Sequence, residues 1–192
     1  HERLVGSEMC IRDRSLGREE LSYLESVQEE LNRADTEAEL EEIRQELQAG
    51  GYVRPDAGRK RMKQSKLPPM RFESTDGFPI YVGRNNRQND ELTTKLAAKT
   101  DLWLHVQKIP GSHVIIRQEG EIPRQTLLEA AILAAWYSKG QNSSGVPIDY
   151  TLRRYVKKPG GAAPGMVIYT NQRTLFMTVS ESDVRKIQLV EE

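Results

Sequence analysis

Across 15–50, apolar residues fall at Leu21, Leu24, Val27 and Leu31 and again at Leu40, Ile43 and Leu47, spaced by three and four in a segment crowded with acids. That period predicts helix over 16–49, with an apolar seam too narrow to bury itself. Such a seam needs an antiparallel or trans partner, so the segment is expected to be the end of a coiled-coil arm whose partner lies upstream of the residues present. Ala34-Asp35-Thr36 interrupts the pattern, Thr36 with Glu39 offers a capping box that restarts the helix, and Gly50-Gly51 stops it.

Charge is segregated in a chain whose 28 basic and 28 acidic side chains cancel. Over 15–50 eleven acids face Arg18, Arg33 and Arg44, a net of −8, whereas over 54–71 seven bases face Asp56 alone, a net of +6. Overall neutrality therefore does not exclude a nucleic-acid partner, because the distribution decides. The one cysteine, Cys10, excludes an internal disulfide and the multi-cysteine metal knuckles. No apolar run approaches the roughly 18 residues of a membrane helix, and no signal peptide is readable, so a cytoplasmic protein is expected. HERLVGSEMCIRDR shows neither helical nor strand period and reads as translated sequencing adapter; residues 1–14 are set apart as a non-native or disordered start.

Residues 51–68 read as a basic linker, too polar to fold independently, and 69–192 as one α+β domain: a mostly antiparallel sheet with packed helices. Strands are expected at 71–74 and 79–82, joined by a Thr75-Asp76-Gly77 turn, and at 102–106 and 113–117, joined by a Pro110-Gly111 turn. A helix is expected over 89–99. The longest apolar helical pattern starts near Pro123 and carries Leu127, Leu128, Ala131, Ile132, Ala134, Ala135 and Trp136. Three further strands, at 149–156, 166–169 and 174–179, complete the sheet.

Three dense blocks carry the chemistry. In GRNNRQND, Asn89 or Asp90 is expected to cap the following helix. Arg84 and Arg87 are read as phosphate ligands, and Asn85 and Asn86 as contacts to sugar or base edges. In DLWLHVQKIPGSH, strand alternation places Asp101, Trp103 and His105 on one face and Leu102, Leu104 and Val106 on the core face. Trp103 and His105 are then either exposed rings that stack unpaired bases or a satellite core in which His105 bonds an acid. His105 and His113 lack a third ligand nearby, so no metal is expected. In YTLRRYVKKPGGAAPG, Arg153, Arg154, Lys157 and Lys158 precede a small-residue loop that suits a phosphodiester backbone; it is not a P-loop, because the Gly-Lys-Ser/Thr ending is absent. Arg59, Lys63, Lys66 and Lys139 are candidates to extend the same surface. Ser112 and His113 are neighbours on a strand and point to opposite faces, a poor nucleophile and base pair, so no catalytic residue and no cofactor are expected.

These blocks, in this order and spacing over 69–181, resemble the NFACT-R domain of the ribosome quality-control factors called RqcH in bacteria and NEMF in animals, also called fibronectin-binding proteins. The resemblance implies that the acidic helix is the returning arm of a long coiled coil. It also implies that the domain contacts tRNA or ribosomal RNA on large ribosomal subunits blocked by peptidyl-tRNA, supporting C-terminal alanine tailing. The RNA-binding residues it implies include Arg84, Asn85, Asn86, Arg87, Asn89, Asp90, Trp103, His105, His113, Arg153, Arg154, Lys157 and Lys158. The family's N-terminal domain, with its tRNA-selecting pair, is not in this sequence. A fibronectin-binding adhesin and a protein-interaction module working through the coiled coil are the rival readings.

Overall fold

The computed structural model describes residues 2–58, 66–118 and 120–191, with side chains described from residue 13 onward. Arg59 and Lys63 lie outside the described residues. Two helices open the chain, α1 (Glu2–Arg33) and α2 (Glu37–Ala49). The backbone of 2–14 continues α1, so the missing apolar period there does not mark the end of the helix. α2 is capped as its sequence requires. Thr36 accepts from Glu39 N while the Glu39 carboxylate accepts from Thr36 N, and Gly51 follows with φ 80°.

Six antiparallel pairings join seven strands in the order β8-β5-β3-β4-β2-β1-β9. They are β1 (Met70–Glu73), β2 (Pro79–Val82), β3 (Leu102–Val106), β4 (Val114–Ile116), β5 (Val146–Leu152), β8 (Arg173–Met177) and β9 (Gln188–Val190). Both hairpins read from turn residues are present, β1–β2 with Gly77 at φ 82° and β3–β4. The expected strand at 166–169 is instead a short β7 (Ile168–Tyr169) paired with β6 (Val156–Lys157) in a separate ribbon. β9 escaped the sequence reading because three residues carry too little period to register.

On one sheet face α4 (Arg124–Trp136) buries Ala130, Ala131, Leu133 and Ala134 against Leu102, Leu104, Val106, Val114 and Ile116. The second face is also covered. There α3 (Asn86–Glu91), the π-helical turn after it (Leu92–Leu96) and the β6–β7 ribbon enclose Leu92, Trp103, Ile115 and Val156. α5 (Glu181–Arg185) packs beside α4.

The arm finds part of its partner within the chain, which corrects the expectation that none is present. α1 and α2 fold back on each other across Ala34-Asp35-Thr36 and bury Tyr23, Val27 and Ile43, with Ala163 from the glycine-rich loop against them. Leu21, Leu24, Leu31 and Leu40 remain exposed on the outer side. Glu30 is sealed in the joint with its Oε2 lacking a hydrogen-bond partner among the described residues. Burial first, then the neighbouring Glu46 carboxylate, push its pKa well above the usual carboxylate range, against the pull of Arg33 and the Asn86 backbone. An acid whose folded pKa is raised contributes most stability below its unfolded value, near 4.3, and loses it as pH rises toward the folded value. Glu30→Gln is therefore expected to stabilise the protein at pH 7.5 by about 1 kcal/mol, raising Tm by roughly 2–4 °C. It should also flatten the decline of Tm between pH 4.5 and neutrality, as followed by circular dichroism. A lower Tm at pH 7.5 would show that the charge is needed.

Candidate nucleic-acid interface

The first block is mostly a docking knot. α2 presents Glu39, Glu42 and Glu46 at helical spacing, and each meets this block. Glu39 accepts from Arg84 Nη1 at 2.9 Å, Glu42 from Asn85 Nδ2 at 2.7 Å, and Glu46 from the Arg87 backbone N–H at 3.2 Å. Asn86 Nδ2 donates to Ser26 Oγ at 2.8 Å. From the end of α1, Arg33 donates to the Tyr137 carbonyl at 2.5 Å and to Ser112 Oγ at 3.2 Å. The cap of α3 is Asn85, which accepts from Gln88 N, not Asn89 or Asp90. Helix runs only over 86–91 before the π-helical turn. Asn89 Oδ1 instead accepts from His113 N at 3.0 Å, and a Cβ on Gly83 would overlap it. Asp90 accepts from Lys158 Nζ and from Gly165 N. Asn85 and Asn86 are buried, so they are not the exposed sugar and base ligands expected, and Asn89 is buried as well. Within this block Arg87 is the cation left more exposed, its side chain 54% accessible beside Glu91.

The second block faces inward. Trp103 is fully buried, which contradicts its reading as an exposed stacking ring, because the β6–β7 ribbon and the α3 segment form a second layer over its face. His105 stacks on it with centroids 5.8 Å apart and planes 13° apart. His113 stands edge-on to both rings, at 5.4 Å from Trp103 and 5.3 Å from His105. His113 Nε2–H donates to the Gly165 carbonyl at 3.1 Å, which leaves Nδ1 to accept from Thr93 Oγ1 at 2.7 Å. His105 Nε2–H donates to the Gly111 carbonyl at 3.2 Å, not to an acid. Burial lowers both imidazole pKa values, His113 the more strongly with His105 beside it, so both rings are neutral at neutral pH. Ser112 Oγ serves Arg33 while His113 serves Thr93 and Gly165, so the two side chains do not meet as nucleophile and base.

The third block divides. The Arg153 guanidinium is a staple, donating to the Thr93 and Val156 carbonyls. Lys158 is tied to Asp90 and the Ala163 carbonyl. Arg154 and Lys157 are exposed and form no ion pair among the described residues. The register Leu102↔Ile116 and Leu102↔Leu152 brings the start of β3 and the ends of β4 and β5 to one edge. Consequently Arg117, Arg154 and the segment 95–99 share that edge: Arg117 Nη1 donates to the Leu96 carbonyl at 2.9 Å and Arg154 N to the Lys99 carbonyl at 3.2 Å. Lys95, Lys99, Arg117 and Arg154 thus form a cationic rim that the β6 residue Lys157 extends, with Arg117 also paired to Asp101. Lys95, Lys99 and Arg117 were missed in the sequence because they sit in two segments apart from the dense blocks of basic residues, and only strand register unites them. Lys66 is ion-paired with Glu91.

A family model described as the NFACT protein RNA binding domain matches residues 69–171, and one described as NFACT N-terminal and middle domains matches residues 14–66. The chain is 46% identical over 175 residues to the Rqc2 homolog RqcH of Bacillus subtilis, and 42% identical over 168 residues to that of Streptococcus suis. These alignments cover 90% and 87% of this chain but 30% of each relative. Coiled-coil domain-containing protein 25 of Mus musculus is 29% identical over 57% of the chain and 55% of its own length. Among solved structures, the C-terminal part of the fibronectin/fibrinogen-binding protein from Streptococcus suis superposes with a TM-score of 0.86 at 38% identity, covering 97% of this chain and 74% of that one. The chain belongs to the NFACT family, and its residues 69–171 are the family's RNA-binding domain.

Proposed function

We propose that this chain is the RNA-contacting segment of an RqcH-like ribosome quality-control factor. In this reading it holds tRNA or ribosomal RNA on stalled large ribosomal subunits that carry peptidyl-tRNA, and so supports C-terminal alanine tailing. The observation that carries the reading is the rim of Lys95, Lys99, Arg117, Arg154 and Lys157, gathered from separate segments of a chain with no net charge. Exposed cations at one edge attract a polyanion through counterion release, whatever its sequence. The domain acts by binding and not by catalysis, in the cytoplasm; among the described residues no helix is long and apolar enough to cross a membrane. The exposed Leu21, Leu24, Leu31 and Leu40 favour a further helix packing along the arm, the missing strand of the coiled coil.

Fluorescence anisotropy of the whole chain with labelled tRNA and a length-matched duplex DNA, over a salt series, tests this. The expected result is tighter binding to tRNA and a negative slope of log affinity against log salt. Binding to neither would remove the RNA reading and leave a protein partner for the arm.

A further inference from the structure

All three blocks meet at a cavity of about 230 Å³ under α1. Asn86 comes from the first block, Trp103, His105 and His113 from the second, and Gly165 from the third with Met166 next to it, while Ser22, Glu25 and Ser26 of α1 lie across the mouth. We infer that this cavity takes a single unstacked nucleobase of the bound RNA. The inference rests on the RNA-binding reading above and adds a second, base-directed site to the cationic rim.

The size sets the class of occupant. At about 30 Å³ per water molecule the space equals roughly seven or eight waters, room for one ring system and not for a stretch of chain. Its chemistry narrows the choice. His105, stacked on the buried Trp103, brings a partly exposed ring to the lining, with Met166 and Val167 as apolar neighbours. The imidazoles use their Nε2–H groups on the Gly111 and Gly165 carbonyls, and both rings are neutral, so the walls suit a flat uncharged group better than a phosphate. Trp103 Nε1–H is buried and has no hydrogen-bond partner among the described residues. A buried indole N–H ordinarily finds an acceptor, and the carbonyl oxygens of uracil, cytosine and guanine provide one.

The backbone of the same nucleotide has its own counterpart. Lys108, exposed at the mouth with φ 59°, offers a cation where a phosphodiester would leave the cavity, with Glu25 as the one acid opposing it on the lining. From the rim, Lys157 leads through the loop of Pro159, Gly160 and Gly161 to Gly165, whose carbonyl holds His113 at the cavity wall.

The test uses the whole chain with labelled ten-nucleotide uridine oligomers, intact, carrying one abasic position stepped along the strand, or abasic throughout. One abasic position is expected to weaken binding about tenfold, the value of one base held against aromatic side chains, with the others near neutral. Trp103→Phe keeps a ring but removes the donor, and Ser22→Trp plugs the mouth from the exposed surface of α1 without touching the core. Both are expected to bring the ratio of intact to abasic affinity close to one. Equal affinity for intact and abasic oligomers, with tRNA binding retained, overturns the cavity assignment alone, as does a preference that survives in both variants. Failure to bind any oligomer or tRNA overturns the RNA reading and the cavity assignment together.

Discussion

Reversing Arg154 and Lys157 together to glutamate is expected to weaken tRNA binding about 100-fold at moderate salt while leaving the fold intact. Each side chain is exposed and free of ion pairs among the described residues, so neither change breaks a structural contact, and exposed substitutions of this kind alter stability by roughly 0.5 kcal/mol or less. Losing a charged contact costs about 1.5 kcal/mol, close to tenfold for each residue. The salt dependence is the sharper readout, because two lost phosphate contacts should lower the magnitude of the log–log slope by about two. Arg153→Glu, one residue away, serves as the contrasting variant. Its guanidinium holds the Thr93 and Val156 carbonyls, so reversal there should lower Tm and would weaken RNA binding only through loss of structure. Unchanged tRNA affinity in the Arg154 and Lys157 double variant would remove the rim from the interface.

The contrast between neighbouring arginines shows what a single sequence carries and where it stops. Period and turn chemistry located the β1–β2 and β3–β4 hairpins, the α4 helix and the Thr36 capping box, because each depends on residues a few positions apart. The three blocks also come together in space, converging on one cavity and its borders. What stayed hidden was the assignment of roles. Asn85, Asn86 and Arg84 satisfy partners on α1 and α2 that are 43, 60 and 45 residues away, and a polar side chain in sequence does not announce whether its partner is water, RNA or a distant carboxylate. Alternation in β3 identified which residues share a face but not whether that face is covered. The covering came from β6, β7 and the π-helical turn, elements too short to leave a period.

Trp103→Ala is expected to be among the most damaging single substitutions, costing about 3–5 kcal/mol, a large share of the roughly 5–15 kcal/mol that stabilises a typical domain. The side chain is 0% exposed and packs among Leu92, Ile115 and Val156, with Tyr169 at 4.7 Å between ring centroids. Removing it enlarges an existing cavity and takes away the surface against which His105 stacks, so the site cannot close over the loss. At roughly 2–4 °C per kcal/mol for a chain of this length, Tm should fall by about 10 °C or more. An exposed stacking ring would behave in the opposite way: its removal would leave Tm almost unchanged and cost RNA affinity alone. A melting curve therefore separates the two roles before any RNA is added. A loss under about 1 kcal/mol would mean that the β6–β7 layer is not closed over β3 in solution. A large loss places Trp103 in the wall of the fold, where it reaches RNA only through a base that enters the cavity.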